Sequence, residues 1–231
     1  MRKKKGVDSF ISISGDLKKN GSIEFKSIPL EENKNKILIN NLELSPTLKI
    51  KDLVSVSIDY KNNKDTVNKL NLKKNNSNFI LKGDSFNAVR IINNIVNNDT
   101  ESSSIFQNLN SKIDIEIKKT YIDEINYLNN LSGYIYFKNN KIKDLKLDSV
   151  FPNNKRINLM ISTSDTLEKT TNLFTDHPKP LIKRYNFIKG FEEGYLKFNS
   201  IKKDNISNSI LVINNFKIKE VPVFAKILSL A

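Results

Sequence analysis

Apolar and polar side chains alternate with a period of two residues in several separate segments of this chain. Ile113, Ile115 and Ile117, for example, alternate with Asp114 and Glu116. Successive side chains of a β-strand point to opposite faces, so such a segment predicts a strand with one apolar and one polar face. The same alternation occurs at residues 37–44, 48–50, 145–147, 157–161 and 216–218. The function therefore depends on what covers the apolar faces.

This alternation, together with the turn residues between the segments, predicts about a dozen strands. Turns rich in Asn, Lys and Gly suit antiparallel hairpins because Asn and Gly tolerate positive φ. Asn139-Asn140 is predicted to be a two-residue hairpin turn. The predicted strands cover residues 10–14, 22–28, 36–44, 47–60, 67–72, 78–82, 112–119, 133–137, 141–147, 156–162, 195–198 and 210–218.

Three short helices are predicted beside these strands, too few to cover all the apolar faces. Two of them occupy residues 180–187 and 221–231, the latter led by Pro222 in its first turn. Three architectures remain open: two sheets packed as a sandwich, one long curved sheet with an open groove, or a closed barrel. The remaining helix is predicted from Asp84 or Ser85 as N-cap and from apolar residues at helical spacing, namely Phe86, Val89, Ile92, Ile95 and Val96.

Composition argues against enzymatic chemistry. The chain has no cysteine, which excludes disulfides, thiolate metal sites and a cysteine nucleophile. Its single histidine, His177, lies in a loop-like stretch without a nucleophile that it could activate, so we expect a surface residue and not a general base. Seven glycines form no phosphate-binding loop. We therefore expect no catalytic residues, no metal and no cofactor.

The net charge of +13 favours anionic partners such as phospholipid head groups, nucleic acid or acidic proteins. A genome rich in A and T would also raise the Lys, Ile and Asn contents together. Nucleic acid is the weaker interpretation because the basic residues are scattered and aromatic residues are not interleaved with them. No stretch approaches the roughly 18 consecutive apolar residues of a membrane-spanning helix.

The last third of the chain has a characteristic order of segments. Residues 180–196 predict a short helix, a loop with Gly190 and Gly194, and a strand; residues 216–231 predict a strand followed by Pro222, Ala225 and Leu228. Residues 172–174 and 81–88 add shorter matches. Together these segments resemble the C-terminal region of bacterial AsmA-like proteins, in particular the alphaproteobacterial YhdP type.

This resemblance implies a long, curved antiparallel sheet, open along one side like a taco, whose apolar groove carries phospholipid acyl chains between the inner and outer membranes. It also implies a periplasmic position, with attachment to the inner membrane through a segment not present in this chain. Members of the family are longer, so we expect a fragment or one part of a split gene, with the rest of a membrane-anchored protein or envelope partners beside it.

We therefore predict a mainly β protein with an N-terminal antiparallel segment at residues 1–83 and an AsmA-like region at residues 84–231. The predicted function is binding or conduction of phospholipid, without catalysis. The alternatives are a scaffolding β-sandwich of the envelope and a basic RNA-associated β protein. Residues expected to line the groove share the two-residue period: Ile113, Ile115, Ile117, Leu145, Leu147, Ile157, Leu159 and Ile161.

Overall fold

The computed structural model of the protein describes residues 9–61, 66–96, 107–185 and 189–219. These residues form one open, 14-stranded sheet with two short helices. The helices are α1 (Val89–Val96) and α2 (Lys179–Tyr185). The strands are β1 (Ser9–Ile11), β2 (Asp16–Leu17), β3 (Ile23–Glu32), β4 (Asn35–Leu44), β5 (Ile50–Lys61), β6 (Val67–Asn75), β7 (Asn78–Asn87), β8 (Ser111–Tyr121), β9 (Tyr127–Lys138), β10 (Lys141–Val150), β11 (Arg156–Thr163), β12 (Lys169–Thr175), β13 (Phe191–Lys203) and β14 (Ile206–Ile218).

Strands that follow one another in the chain are also neighbours in the sheet from β3 to β14, while β1 and β2 both pair with β3. The pairing is antiparallel except between β7 and β8, which run parallel. Parallel neighbours need a longer crossover than a hairpin provides, and α1 lies in this connection. The prediction of a mainly β protein is therefore confirmed, and the predicted antiparallel pairing holds at every strand pair described except this one.

Asparagine in the left-handed region forms several of the tight turns. Asn139 and Asn140 have φ angles of 51° and 63°, the backbone of the two-residue hairpin turn predicted between β9 and β10. The amide of Leu109 donates to Asn140 Oδ1 at 2.7 Å, so this turn also holds the segment before β8.

The first helix begins later than its apolar spacing predicts. Asp84, Ser85 and Phe86 belong to β7, and Ser85 pairs with Lys119 on β8. Asn87 supplies the cap instead, because its Oδ1 accepts a hydrogen bond from the amide of Val89 at 3.1 Å. The second helix is confirmed at about its predicted place, and the third, at residues 221–231, lies outside the described residues.

Several strand predictions also differ from the structure, and the strands predicted at 133–137 and 195–198 extend over Tyr127–Lys138 and Phe191–Lys203. The strand predicted from residue 47 begins at Ile50, because residues 45–49 form a turn in which Leu48 has a φ of 59° and is 68 % exposed. The short strand β2 and strand β12 were not predicted. The proposed boundary between residues 83 and 84 lies inside β7, and the sheet continues on both sides of it.

Buried apolar residues of the described ranges form three clusters. The first centres on Leu70, Ile115 and Ile117 in the middle of the sheet. The other two lie at the end of the sheet where β8, β10 and β12 terminate, which we call the helix end. There Ile92 of α1 packs on the cluster that contains Phe151, and Ile182 of α2 forms part of the third cluster. The opposite end, where β8, β10 and β12 begin, we call the hairpin end.

Candidate ligand-binding face

The eight predicted groove residues lie on the same face of the sheet, which we call the apolar face. The pairing register of β8 to β11 places them there. Ile113 is opposite Ile135, Ile135 is opposite Leu145, and Leu145 is opposite Ile161. A second row joins Ile115, Gly133, Leu147 and Leu159 in the same way.

The eight residues differ in exposure. Four are buried, and Ile117 is the most enclosed at 3 % exposure. Four are half-buried and retain a surface that a ligand could contact. The buried set is Ile115, Ile117, Leu145 and Ile161, and the half-buried set is Ile113, Leu147, Ile157 and Leu159.

Strands β11 to β14 continue the apolar face as four parallel rows of side chains, each row crossing all four strands. Rows one and two, nearest the helix end, are almost entirely apolar. Row three carries hydroxyl groups beside Ile161, and row four, at the hairpin end, carries two lysines. In order, the rows are Ile157–Thr175–Leu196–Ile213, Leu159–Leu173–Phe198–Leu211, Ile161–Thr171–Ser200–Ser209 and Thr163–Lys169–Lys202–Ser207.

Row two is the most accessible apolar part of this region. Leu173 and Phe198 are half-buried, and Leu211 is 43 % exposed. Leu173 was not predicted to line the groove because β12 was not predicted, and Phe198 and Leu211 were not among the predicted lining residues either. The sequence Thr171-Asn172-Leu173-Phe174 does not alternate cleanly, so the register of β11 with β12 was needed to identify Leu173.

The polar end of the same face has a distinct chemistry. Lys169 lies directly opposite Lys202, and the pKa of Lys169 is lowered by burial and by the positive charge of Lys202. Beside them, the Ser200 hydroxyl shares hydrogen bonds with those of Ser209 at 2.9 Å and Ser207 at 3.1 Å. Hydroxyl groups therefore separate the lysine pair from the apolar rows.

The helix end of the face is closed by the molecule's own side chains. Ile182 of α2 is fully buried against Phe191 and Leu196. Phe151 is 2 % exposed and packs edge-on against the ring of His177, with the ring centroids 5.0 Å apart. Side chains of the protein itself therefore fill the apolar face at the helix end.

The opposite face carries cross-strand ion pairs, such as Lys82 with Glu116 at 2.7 Å and Lys118 with Asp84 at 2.8 Å. These groups border a cleft of about 630 Å³ over β5 to β9. A second cleft, of about 340 Å³, lies over β11 to β14 and includes apolar residues that alternation assigned to no site: Met160, Phe174, Ile210 and Val212.

Residues considered for catalysis or for the family motif fall into three groups. His177 is half-buried, and its pKa is lowered by burial and by the charges of Lys179 and Lys155. Gly190 and Gly194 both have positive φ, and a β-carbon at Gly194 would lie 2.6 Å from the carbonyl oxygen of Asn214. Pro222, Ala225 and Leu228 lie outside the described residues.

Within the described ranges, no group of His, Asp and Glu side chains is arranged to hold a metal ion. None of the helices described has the length and apolarity to cross a membrane. No family model, curated protein or solved structure matches the chain.

Proposed function

We propose that this protein is a non-enzymatic cell-envelope protein of the AsmA-like kind, which binds or conducts phospholipid between the inner and outer membranes along its apolar face. The observation that carries the proposal is the continuity of this face across β8 to β14, together with the position of both helices at one end. Its partners are then acyl chains and the remainder of a membrane-anchored assembly in the periplasm.

Side chains of the apolar face are buried although no second layer of the described elements packs on them. This burial supports a sheet that bends toward its apolar face. The main contacts between the described elements join neighbouring strands, apart from the packing of α2 on β13. A flat single sheet would leave Ile117 open to water, whereas this residue is 3 % exposed. Such bending would bring side chains of nearby strands together, and the proposal requires it to shape the apolar face into a groove.

The free energy of lipid binding would come from the part of the apolar face that is still accessible to solvent. Leu159, Leu173, Phe198 and Leu211 form a row whose exposed surface an acyl chain would cover. Burial of a chain contributes about 0.8 kcal/mol per CH₂ group. Because Ile115 and Ile117 are already buried, they support the floor of the groove more than they contact the ligand.

Native mass spectrometry of protein purified without detergent tests this proposal. We expect phospholipid bound to the wild-type protein, and its absence would overturn the proposal. Leu159→Glu places a charge in row two and should abolish lipid binding. Met160→Glu is the matched control: Met160 is the next residue of the same strand, points to the opposite face and is 46 % exposed, so this variant should retain lipid. Circular dichroism should show the same strand content in both variants.

A scaffolding role is the second candidate, and one observation favours it. Met160, Ile210 and Val212 on the opposite face are 46 %, 65 % and 42 % exposed, which gives an apolar surface suited to a protein partner. If the wild-type protein carries no lipid and Met160→Glu abolishes association with an envelope protein, the scaffolding role is supported instead.

A further inference from the structure

Lys169 and Lys202 form an unusual pair because the sheet places two like charges directly across from each other on its apolar face. Like charges at opposite positions of neighbouring strands destabilise a sheet. Lys169 is half-buried, so water screens this repulsion less than it would on an open surface. The lowered pKa of Lys169 is consistent with this proximity.

Several other lysines of the sheet have acidic partners. Lys82 pairs with Glu116 at 2.7 Å, and Lys217 pairs with Glu193 at 2.9 Å. For Lys169 and Lys202, no carboxylate of the described residues lies within ion-pair distance, although Glu168 and Asp204 are close in sequence. The positive charge of the pair is thus available to an external anion.

Rows three and two, which follow the lysine pair toward the helix end, indicate the chemical groups that the rest of the ligand should carry. Side chains on one face of a strand are two residues apart, or roughly 6.6–6.8 Å. Moving from the lysines toward the helix end, a ligand would meet the hydroxyl groups of Thr171, Ser200 and Ser209 and then the apolar side chains of Leu173 and Phe198. This order of charge, hydrogen-bonding groups and apolar surface matches an amphiphile with an anionic head, a polar linkage and an aliphatic chain.

We propose that Lys169 and Lys202 bind the anionic head group of an amphiphile whose chain lies along row two of the apolar face. This inference rests on the proposed lipid function and adds the charge of the ligand and its orientation, with the head group at the hairpin end. The shared chemistry is a single net negative charge, which phosphatidylglycerol supplies through its phosphodiester and a fatty acid through its carboxylate.

The test compares the binding of phosphatidylglycerol, phosphatidylcholine and palmitate by native mass spectrometry. The wild-type protein should bind phosphatidylglycerol about tenfold more tightly than phosphatidylcholine, which equals about 1.4 kcal/mol. In Lys169→Gln/Lys202→Gln this preference should fall to about one, because phosphatidylglycerol loses more affinity than phosphatidylcholine, whose choline group already balances the charge of its phosphodiester. A greater loss of affinity for palmitate than for phosphatidylglycerol would identify the carboxylate as the source of the charge.

The matched control is Lys138→Gln/Lys141→Gln. These lysines are also directly opposite each other at the hairpin end, but Lys138 follows Phe137 in β9 and so points to the opposite face. The control removes the same net charge and should keep the preference. An equal loss in both double variants would attribute the preference to net charge and overturn the inference.

Two results separate this inference from the function on which it rests. If the wild-type protein binds none of the three lipids, the lipid function fails and the head-group site fails with it. If phosphatidylcholine binds and the preference for phosphatidylglycerol is absent, or survives in Lys169→Gln/Lys202→Gln, only the head-group site is overturned. Removal of the like-charge pair should also raise the Tm in the absence of lipid, which shows that the variant folds.

Discussion

Gly133 on β9 lies so close to Lys146 on β10 that a β-carbon at Gly133 would collide with the carbonyl oxygen of Lys146. The φ of Gly133 is 138°, a conformation that other residues rarely adopt. This glycine lies in the row between Ile115 and Leu147, so close approach of the two strands occurs in the middle of the apolar face.

Gly133→Ala should therefore lower the free energy of unfolding by about 1–3 kcal/mol, from strain in the backbone alone, and by more where the strands must separate. Chemical denaturation measures this change. Ser132→Ala, at the next position and on the opposite face, is the control and should change the stability by less than about 0.5 kcal/mol. Equal effects of the two substitutions would contradict the close approach.

Asn140 has two roles in the hairpin turn between β9 and β10: its backbone adopts a positive φ, and its side chain accepts a hydrogen bond from the Leu109 amide. Substitutions can separate these two roles. Asn140→Gly keeps the positive φ but removes the acceptor for the Leu109 amide, so a loss of about 1 kcal/mol is expected. Asn140→Val adds strain for a β-branched residue with φ of 63°, so its loss should be larger by about 1 kcal/mol or more. Thermal unfolding of both variants should give the order wild type, Asn140→Gly, Asn140→Val, and any other order would contradict this account of the turn.

The sequence predicted this part of the structure well because the relevant information is local. Asn139-Asn140 between two alternating segments specifies a hairpin, and the two-residue period of Ile113, Ile115 and Ile117 places these residues on one face. Neither conclusion requires knowledge of distant contacts.

Other features depend on strand register, or on whether a segment joins a helix or a strand. Local sequence patterns alone could not predict these features. Phe86 fits the helical spacing of α1, yet it pairs with Thr120 because strand hydrogen bonds with β8 extend β7 to Asn87. Likewise, Lys169 and Lys202 are 33 positions apart in the chain, and only the pairing of β12 with β13 brings them together. The charged end of the candidate site was therefore not visible in the sequence.

The single histidine should make stability depend on pH in the mildly acidic range. Burial, together with the charges of Lys179 and Lys155, lowers the pKa of His177 below its ordinary value of 6.5. Between the folded and unfolded pKa values, the unfolded chain binds more protons than the folded one, so stability falls as the pH drops from about 6.5 toward the folded value. Below the folded value this contribution no longer changes.

The Tm of the wild-type protein and of His177→Gln, measured between pH 7.5 and pH 5, tests this prediction. The wild-type Tm should fall more steeply through this range than that of the variant, in which the group cannot titrate. Parallel curves would show that the imidazole near Phe151 is equally easy to protonate in the folded and unfolded states.

Exposure along the apolar face should separate residues that stabilise the fold from residues that contact lipid. Ile117 is 3 % exposed in the central cluster, so Ile117→Ala should cost about 2–5 kcal/mol of stability. Leu211 is 43 % exposed in row two, so Leu211→Ala should leave the stability within about 0.5 kcal/mol while lowering phospholipid binding severalfold. Val212→Ala is the matched control, because Val212 is 42 % exposed, adjoins Leu211 in β14 and points to the opposite face.

If Val212→Ala lowers lipid binding as much as Leu211→Ala does, the acyl chain does not lie on the apolar face. If neither does, the lipid contacts lie nearer to the middle of the sheet, and Leu147→Ala should then produce the larger loss because Leu147 is the half-buried neighbour of Leu159.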